Sequence, residues 1–507
     1  MLNYCGCSMT SPSEPLSQLT AGMPVVSPNG EVFRVDEQLA ASFAPGDTLV
    51  ANAFAGLLRI PGAITATVDA AMTQCTHAFS LMNQVTDEQI VGFFRSAAAN
   101  LADTDVWNDV VETNAQDVER ARSLGRSITR LQVSKAMREA MIAGLNGWAD
   151  LPSSRDAIFE TVQHADFRID LVGAALGPVG FVFEGRPNVL ADACGVLRGG
   201  NTVIFRIGSD ALQTAQTIMR QAIVPALESN GLPAGAVALV DSAEHAAGWS
   251  LFLDQRLALA VARGSGWAVD LLGSLAQSVG TPVSLHGTGG GWLVAGDSAK
   301  PDEFAAAVLR SLDRKVCNTM NVCVLPASRA NELAPVLLSA LDSAAQQCGA
   351  PYKLHVTPSA QACVPASLFD TEVEIIRAEG PVKEPQAETL DTARLGEEWE
   401  WEDSPEITLT VCADTAAAVQ AFNQYSPRLV ATLIAEDATE QQQFFAAIDA
   451  PFVGDDHTRW VDGQFALNKP ELGLSNWANG RLFGRGAVLT GDGVFTVRTR
   501  YTKTPAA

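Results

Sequence analysis

Gly177-Pro-Val-Gly-Phe-Val-Phe183 and Asn201-Thr-Val-Ile-Phe-Arg206 decide the fold. Each is a short apolar run, rich in aromatic and β-branched residues and bounded by glycine. That is how a strand buried on both faces reads. Between them lie a turn, Glu184-Gly-Arg-Pro-Asn188, and a helical stretch from Val189 to Arg198 that Gly199-Gly200 stops. Beyond them Ile207-Gly-Ser-Asp-Ala211 leads into a long helix reaching Glu228. Ala236 to Val240 is a third strand and Leu257 to Ala262 a fourth, the latter followed by Arg263-Gly-Ser-Gly266 and a helix from Trp267 to Gln277. Strands alternating with helices at this spacing predict an α/β fold with a parallel sheet and right-handed crossovers. Ligands on such sheets bind beyond the carboxyl ends of the strands. No GxGxxG fingerprint follows any strand, so the ordinary dinucleotide motif is missing. The turn Arg206-Ile-Gly-Ser209 still offers a cation, a glycine, a hydroxyl and a helix start. Those residues suit a ribose or phosphate, and they equally suit a plain strand-to-helix connection.

Working outward, residues 158–176 alternate as a hairpin, and residues 62–150 have helical spacing. Thr86 followed by Gln89 is a capping-box signature. Residues 23–60 carry turns between short strands, and residues 1–20 hold few apolar anchors. Downstream, Val283-Ser-Leu-His-Gly-Thr-Gly-Gly-Gly291 allows a close backbone approach to a ligand, or serves as a hinge, before a strand from Trp292 to Ala295. Then comes Asp313-Arg-Lys-Val-Cys-Asn-Thr-Met-Asn-Val-Cys323, in which Cys317 stands beside Arg314 and Lys315 and ahead of an apolar strand. A thiol near positive charge at a loop ionises more readily and is a better nucleophile; a buried inert thiol is the plainer reading. Trp399-Glu-Trp-Glu-Asp403 reads as a solvated acidic turn, and Cys323 as structural.

At 507 residues the chain exceeds one compact core, so two or three domains are expected. A net charge of −23 argues against nucleic acid as partner, because a phosphate footprint needs clustered lysine and arginine. The nine cysteines are scattered, and no CxxC pair suggests a metal site. With no signal-peptide pattern and no apolar run near ~20 residues, the expectation is a cytoplasmic protein without a membrane partner.

Taken in order, Glu184-Gly-Arg-Pro-Asn-Val189, Gly200-Asn-Thr-Val-Ile-Phe-Arg206, Arg263-Gly-Ser-Gly266, Gly287-Thr-Gly289 and Val316-Cys-Asn318 resemble the aldehyde dehydrogenase superfamily, most closely its gamma-glutamyl phosphate reductase branch. Thr458-Arg459 with Asp462-Gly463, Glu471-Leu-Gly-Leu-Ser475 and Arg485-Gly486 continue the resemblance, which covers about residues 85–501. The chain departs from the branch's pattern at Gly185, Ile207, Thr319-Met-Asn321, Tyr425-Ser-Pro-Arg428, Asp455-Asp-His457 and Asn468-Lys-Pro470, and several of these lie where the branch holds its substrate.

The resemblance implies two parallel-sheet α/β domains plus a β oligomerisation arm. Residues 1–60 form an N-terminal extension, 61–283 the coenzyme domain with hairpin 158–176 in the arm, 284–455 the catalytic domain, and 456–507 a return to the coenzyme domain and arm. It implies NADPH-dependent reduction of an acyl phosphate, by default L-glutamyl 5-phosphate, to the aldehyde through a thioester on Cys317. Asn188 and Asn318 become oxyanion donors. Arg206, Gly208, Ser209, Arg263, Gly264, Gly287 and Thr288 become coenzyme contacts, and Arg186, Arg459 and Glu471 substrate contacts. Leu285-His286 stands where hydrolytic members have a glutamate that activates water, and a leucine cannot deprotonate water. A homodimer or larger homo-oligomer is implied, with an acyl-phosphate-forming kinase as a further partner. The same chemistry on another acyl group, and a non-catalytic scaffold, stay open as alternatives.

Overall fold

The computed structural model describes residues 16–27, 29–126, 128, 131–183, 185–377, 380–461, 467–469, 472–474 and 488–503. Two hairpins open it. The first is β1 (Pro24–Val26) with β2 (Val32–Arg34), and the second, after α1 (Glu37–Ser42), is β3 (Thr48–Asn52) with β4 (Gly56–Ile60). Residues 1–15, part of the stretch read as poor in apolar anchors, lie outside the described residues. The second hairpin docks on the rest of the chain, with Leu58 packing on Leu271 and Leu275 and Asn52 Nδ2 donating to Ser274 Oγ at 2.8 Å.

The helical layer follows as α2 (Gly62–Leu81), α3 (Asp87–Ala102), α4 (Thr104–Ser123) and α5 (Lys135–Asp150). The capping box forms: Thr86 Oγ1 accepts from the Gln89 N–H, and Gln89 Oε1 accepts from the Thr86 N–H. Hairpin β5 (Ile158–Gln163) and β6 (Phe167–Ala174) comes next.

The first parallel sheet contains β7 (Pro178–Phe183), β8 (Thr202–Ile207), β9 (Val237–Leu239), β10 (Leu259–Arg263) and β11 (Val283–His286), in spatial order β11-β10-β7-β8-β9. Its strands bury alternate residues on opposite faces. Val179, Phe181, Phe183, Val203 and Phe205 join one apolar cluster with α3 to α5, while Val182, Ile204 and Ala260 join a second with α2. Each such aromatic or branched side chain contributes about 1.5–3 kcal/mol on burial, which outweighs any local preference in so short a run. The crossovers carry α6 (Val189–Ala193), α7 (Leu212–Ile218), α8 (Val224–Ser229), α9 (His245–Phe252) and α10 (Gly266–Ser278).

Two helices differ from their expected form. The one expected over Val189 to Arg198 is α-helical only to Ala193 and then tightens to a 3-10 helix, Cys194–Gly199. There Gly195 lies flat on the Trp148 indole, where a Cβ would be 2.4 Å from the ring. The long helix reaching Glu228 is split by a π segment, Met219–Ile223. Pro225 follows, and it has no N–H for the helical ladder.

The second sheet is also parallel: β12 (Gly291–Ala295), β13 (Met320–Pro326), β14 (Lys353–Val356), β17 (Ala387–Thr389), β18 (Glu406–Cys412), β19 (Val430–Ile434) and β20 (Phe452–Gly454) lie in spatial order β17-β14-β18-β13-β12-β19-β20. An antiparallel pair, β15 (Glu372–Arg377) and β16 (Gly380–Pro385), is inserted before β17. Helix α11 (Pro301–Arg310) joins β12 to the Cys317 loop. After the short pair β21 (Gly473–Leu474) and β22 (Val488–Leu489), the chain ends in β23 (Thr496–Lys503), which adds to β6 and makes a three-stranded sheet in order β23-β6-β5. No helix among the described residues is long and apolar enough to cross a membrane.

Candidate active site

Only residues 287–290 separate the end of β11 in one sheet from the start of β12 in the other. The turns after β7, β8 and β10 lie at carboxyl ends of the first sheet, whereas Cys317 precedes β13 at the amino end of the second. The glycine run brings these edges together. Gly289 lies against the Cys317 backbone, where an added Cβ would stand 2.2 Å from the carbonyl oxygen and 2.7 Å from Cα. The N–H of Gly290, at φ +111°, donates to Cys317 O at 2.6 Å, and that of Gly291 donates to Thr319 O at 2.7 Å. On its other side the run touches α10, since a Cβ on Gly266 would fall 2.2 Å from Thr288 Oγ1. The Arg263–Gly266 turn, Thr288, Gly289 and Cys317 are thus one continuous wall.

The loop carrying the thiol is held from within. Thr319 Oγ1 accepts from the Val316 N–H at 2.9 Å and donates to Arg314 O at 2.7 Å. Cys317 is half-buried beside an apolar cluster of Leu429, Val430, Phe452 and Val461. Three of the other described thiols sit in poorer settings for nucleophilic chemistry. Burial pushes Cys75 up to about 11, and Cys194 and Cys323 higher still. Cys323 is fully buried in β13, as a structural thiol would be.

Arg459, expected as a substrate contact, lies behind the Cys317 loop. It is 6% exposed, its Nε pairs with Asp313 Oδ1 at 2.7 Å, and its Nη1 donates to Asn318 Oδ1 at 2.5 Å. Thr458 N–H also donates to Ser311 Oγ at 2.9 Å. The guanidinium braces the loop around Cys317 at Asp313 and Asn318. Asn318 is fully buried, and its Nδ2 has no hydrogen-bond partner among the described residues.

Lys315, expected to act on the thiol, has its charge paired with a carboxylate far along the chain. It is buried, and its Nζ lies 2.5 Å from Glu398 Oε1. The expected solvated turn at 399–403 is also only half right, because Trp401 is buried and Trp399 stacks on the His355 ring at 3.6 Å while Glu400 and Glu402 are exposed. Two indoles there gain more from packing than the intervening carboxylates lose at the surface.

The fold is shared with known proteins. No family model matches the sequence. A gamma-glutamyl phosphate reductase from Brucella anthropi is 28% identical over 396 residues, covering 75% of this chain and 83% of that protein. The solved gamma-glutamyl phosphate reductase of Thermotoga maritima superposes with a TM-score of 0.74 at 20% identity, over 87% of this chain and 99% of its own. An acetylating aldehyde dehydrogenase from Geobacillus thermoglucosidasius gives 0.60 at 14% identity, over 88% and 98%. The chain has the aldehyde dehydrogenase fold.

Within the aldehyde dehydrogenase fold, the first sheet's carboxyl edge carries the residues expected to meet a coenzyme. Arg206, at the end of β8, is 5% exposed; its Nη2 donates to Ala243 O at 3.0 Å, and its Nε has no partner among the described residues. Burial pulls its pKa down, so the cation is held dry without a full set of acceptors. Beside it, burial and the charges of Arg206 and Arg126 lower the His245 pKa. Ser209 is gripped by arginines, its Oγ 3.3 Å from Arg126 Nη1 and its carbonyl 3.2 Å from Arg120 Nη2. Gly208 N–H donates to Phe183 O, and Gly264 N–H to His286 O, both at 3.2 Å.

Arg263 instead spans the molecule. Its Nη1 donates to Leu472 O at 3.0 Å, and its guanidinium lies 5.6 Å from the Phe183 ring centroid. It ties the first sheet to the C-terminal return. Asn188 starts α6 at the end of β7, half-buried with helical backbone angles, and Arg186 is half-buried one turn earlier. Gly287 packs on α10, where a Cβ would lie 3.3 Å from Gly266 Cα. Leu285 turns into the same helix, 2.5 Å from where a Cβ on Gly273 would be. Glu471, Glu184, Asp462-Gly463 and Arg485-Gly486 lie outside the described residues.

Proposed function

We propose that this chain is an aldehyde-dehydrogenase-type oxidoreductase that reduces an acyl phosphate to the aldehyde through a thioester on Cys317, with L-glutamyl 5-phosphate as default substrate and NADPH as reductant. The observation that carries this reading is the half-open Cys317 loop clamped by Gly289 and Gly290 against the edge of the first sheet. The Cys317 thiolate attacks the acyl carbon and phosphate leaves with the electron pair of the broken C–O bond. The oxyanion formed on attack is met by the Asn318 backbone N–H and the Asn188 side-chain amide. The nicotinamide coenzyme, when bound, supplies a hydride to the thioester. The C–S bond of the resulting thiohemiacetal then breaks, releasing the aldehyde and restoring the thiolate. Leu285 favours phosphate over water as the acyl group's exchange partner, because no carboxylate stands there to activate water. Arg186, half-buried in the turn after β7, is the cation proposed to meet the substrate's anionic end.

The reading is tested by NADPH consumption in an assay coupled to a glutamate kinase, and in reverse by phosphate-dependent reduction of NADP+ with glutamate semialdehyde. Activity in neither direction removes the default substrate. A second reading keeps the thioester chemistry and changes the acyl group. It is favoured by the substitutions at Thr319-Met-Asn321 and Tyr425–Arg428, and a panel of acyl phosphates separates the two.

The coenzyme choice rests on Arg206. A buried guanidinium with an unpartnered Nε fits an anionic oxygen such as a 2′-phosphate. Arg206→Met is expected to raise the KM for NADPH by about 10- to 100-fold, the ~1.5–3 kcal/mol of a lost charge-assisted hydrogen bond. The KM for NADH should move by less than about threefold, since that coenzyme has no 2′-phosphate. Equal losses for both coenzymes, read by initial rates, would show that Arg206 does not discriminate.

The arm β23-β6-β5 carries the proposed self-association. Strand β5 is an unpaired sheet edge with Ile158, Phe159 and Val162 exposed. Val162→Asp is expected to convert a dimer or larger assembly to monomer, as measured by light scattering after size exclusion. A wild-type mass equal to one chain would count against the arm's role.

A further inference from the structure

We propose that Glu398 is a positioning residue, holding the Lys315 ammonium off the Cys317 thiol and fixing the glycine run against the thiol's loop. The inference rests on the reading of Cys317 as nucleophile. Glu398 comes from a part of the chain remote from both partners, yet each carboxylate oxygen has one of them. Oε1 takes Lys315 Nζ and Oε2 accepts the Gly289 N–H, each at 2.5 Å. The Lys315 and Glu398 side chains are 5% and 13% exposed, so water screens the pair poorly and the contact is strong. Among the described residues, Glu400 is a second carboxylate near the ammonium, at 3.9 Å and largely exposed.

The carboxylate is itself mounted rigidly. Asn321, four residues after Cys317, brackets it: Nδ2 donates to Glu397 O at 2.7 Å, and Oδ1 accepts from the Trp399 N–H at 2.9 Å. The Trp399 ring stacks within 10° of parallel on His355, and its Nε1 donates to Thr408 Oγ1 at 2.9 Å. His355 is in turn fixed by Glu406, at 2.7 Å from its Nε2. A surface glutamate that met Lys315 by chance would have no such support on both sides.

Two consequences follow. A lysine two residues from a nucleophilic cysteine, left unpaired in a half-dry loop, would favour the thiolate at all times; paired, it contributes little field there. The same carboxylate also sets how closely Gly289 presses on Cys317, which is the contact that aligns coenzyme edge and thiol. Glu398 thus couples thiol acidity to coenzyme-site geometry.

The test is the pH dependence of Cys317 alkylation by iodoacetamide, resolved by mass spectrometry, in Glu398→Gln, Lys315→Met and the double variant, with kcat and KM measured alongside. Glu398→Gln leaves the ammonium uncompensated and is expected to lower the alkylation midpoint by about one pH unit. Lys315→Met leaves the carboxylate uncompensated and is expected to raise it by about as much. The double variant should return to the wild-type midpoint. In Glu398→Gln, kcat should fall about tenfold or more although the thiol reacts faster, because Gly289 is held less firmly. Midpoints that stay still, or that shift in one direction in both single variants, would overturn the proposal. Should Lys315→Met fail to fold, the near-isosteric Glu398→Gln and the charge-free double variant still decide it. Alkylation needs neither substrate nor coenzyme, so these outcomes stand apart from the catalytic reading, which loss or retention of activity in Cys317→Ala decides.

Discussion

Replacing Cys317 by alanine is expected to lower kcat for acyl-phosphate reduction by about 10⁴-fold or more, the scale on which covalent catalysis fails when its nucleophile is removed. The fold should survive. The side chain is half-buried and rests against Leu429, Val430, Phe452 and Val461, so losing one sulfur atom costs only on the order of 1 kcal/mol there. Cys323→Ala gives the contrasting result. That sulfur is fully buried in β13, and its removal should cost about 1–2 kcal/mol of stability while leaving kcat close to wild type. In the unmodified protein, iodoacetamide should label Cys317 well before Cys323 or Cys363. Burial holds the Cys323 thiol well above its ordinary range. If Cys317 reacts no faster than these two, or if Cys317→Ala keeps its activity, the chain is a scaffold with the fold of an enzyme.

The strands were legible for a simple reason. Runs such as Pro178–Phe183 and Thr202–Ile207 must be apolar on both faces, because helices cover both, and nothing local contradicts that pattern. The glycine run read as room for a ligand or as a hinge, and its Gly289 and Gly290 lie against the Cys317 backbone, a partner that the run itself does not name. The partners of the charged groups were not legible either. Lys315 meets Glu398 across 83 residues, Arg459 meets Asn318 across 141, and Arg263 meets Leu472 across 209. Sequence order carries no record of which cation a distant carboxylate or carbonyl will claim. Arg459 and Arg263 were assigned to ligands and Lys315 to the thiol, and each also has a protein partner that sequence order does not disclose. The Trp399–Asp403 stretch failed for another reason: alternating tryptophan and acid reads as surface on charge and as core on area, and the indoles decided it.

Gly289→Ala is the substitution with the largest purely geometric effect expected. The new Cβ would fall 2.2 Å from Cys317 O, 2.7 Å from its Cα and 2.8 Å from its carbonyl carbon. All three are backbone atoms of the loop braced by Thr319 and Arg459, so none can swing away as a side-chain tip would. One or both segments must move by on the order of 1 Å, and a displacement of that size between reacting groups costs about 100-fold in kcat/KM. Overpacking should also lower stability by about 1–3 kcal/mol, seen as an earlier denaturant midpoint. Two further glycines separate geometry from the general cost of an added methyl. Gly266→Ala would meet Thr288 Oγ1 at 2.2 Å, a side-chain atom rather than backbone, so its loss should be smaller. Gly280→Ala meets nothing within 4 Å but sits at φ +83°, so it should cost about 1–2 kcal/mol of stability with no change in kcat. The thiol itself should stay reactive toward iodoacetamide in Gly289→Ala, because only its alignment with the facing sheet edge is disturbed. If Gly289→Ala turns over at the wild-type rate, the close approach of the glycine run to Cys317 is not what assembles the site.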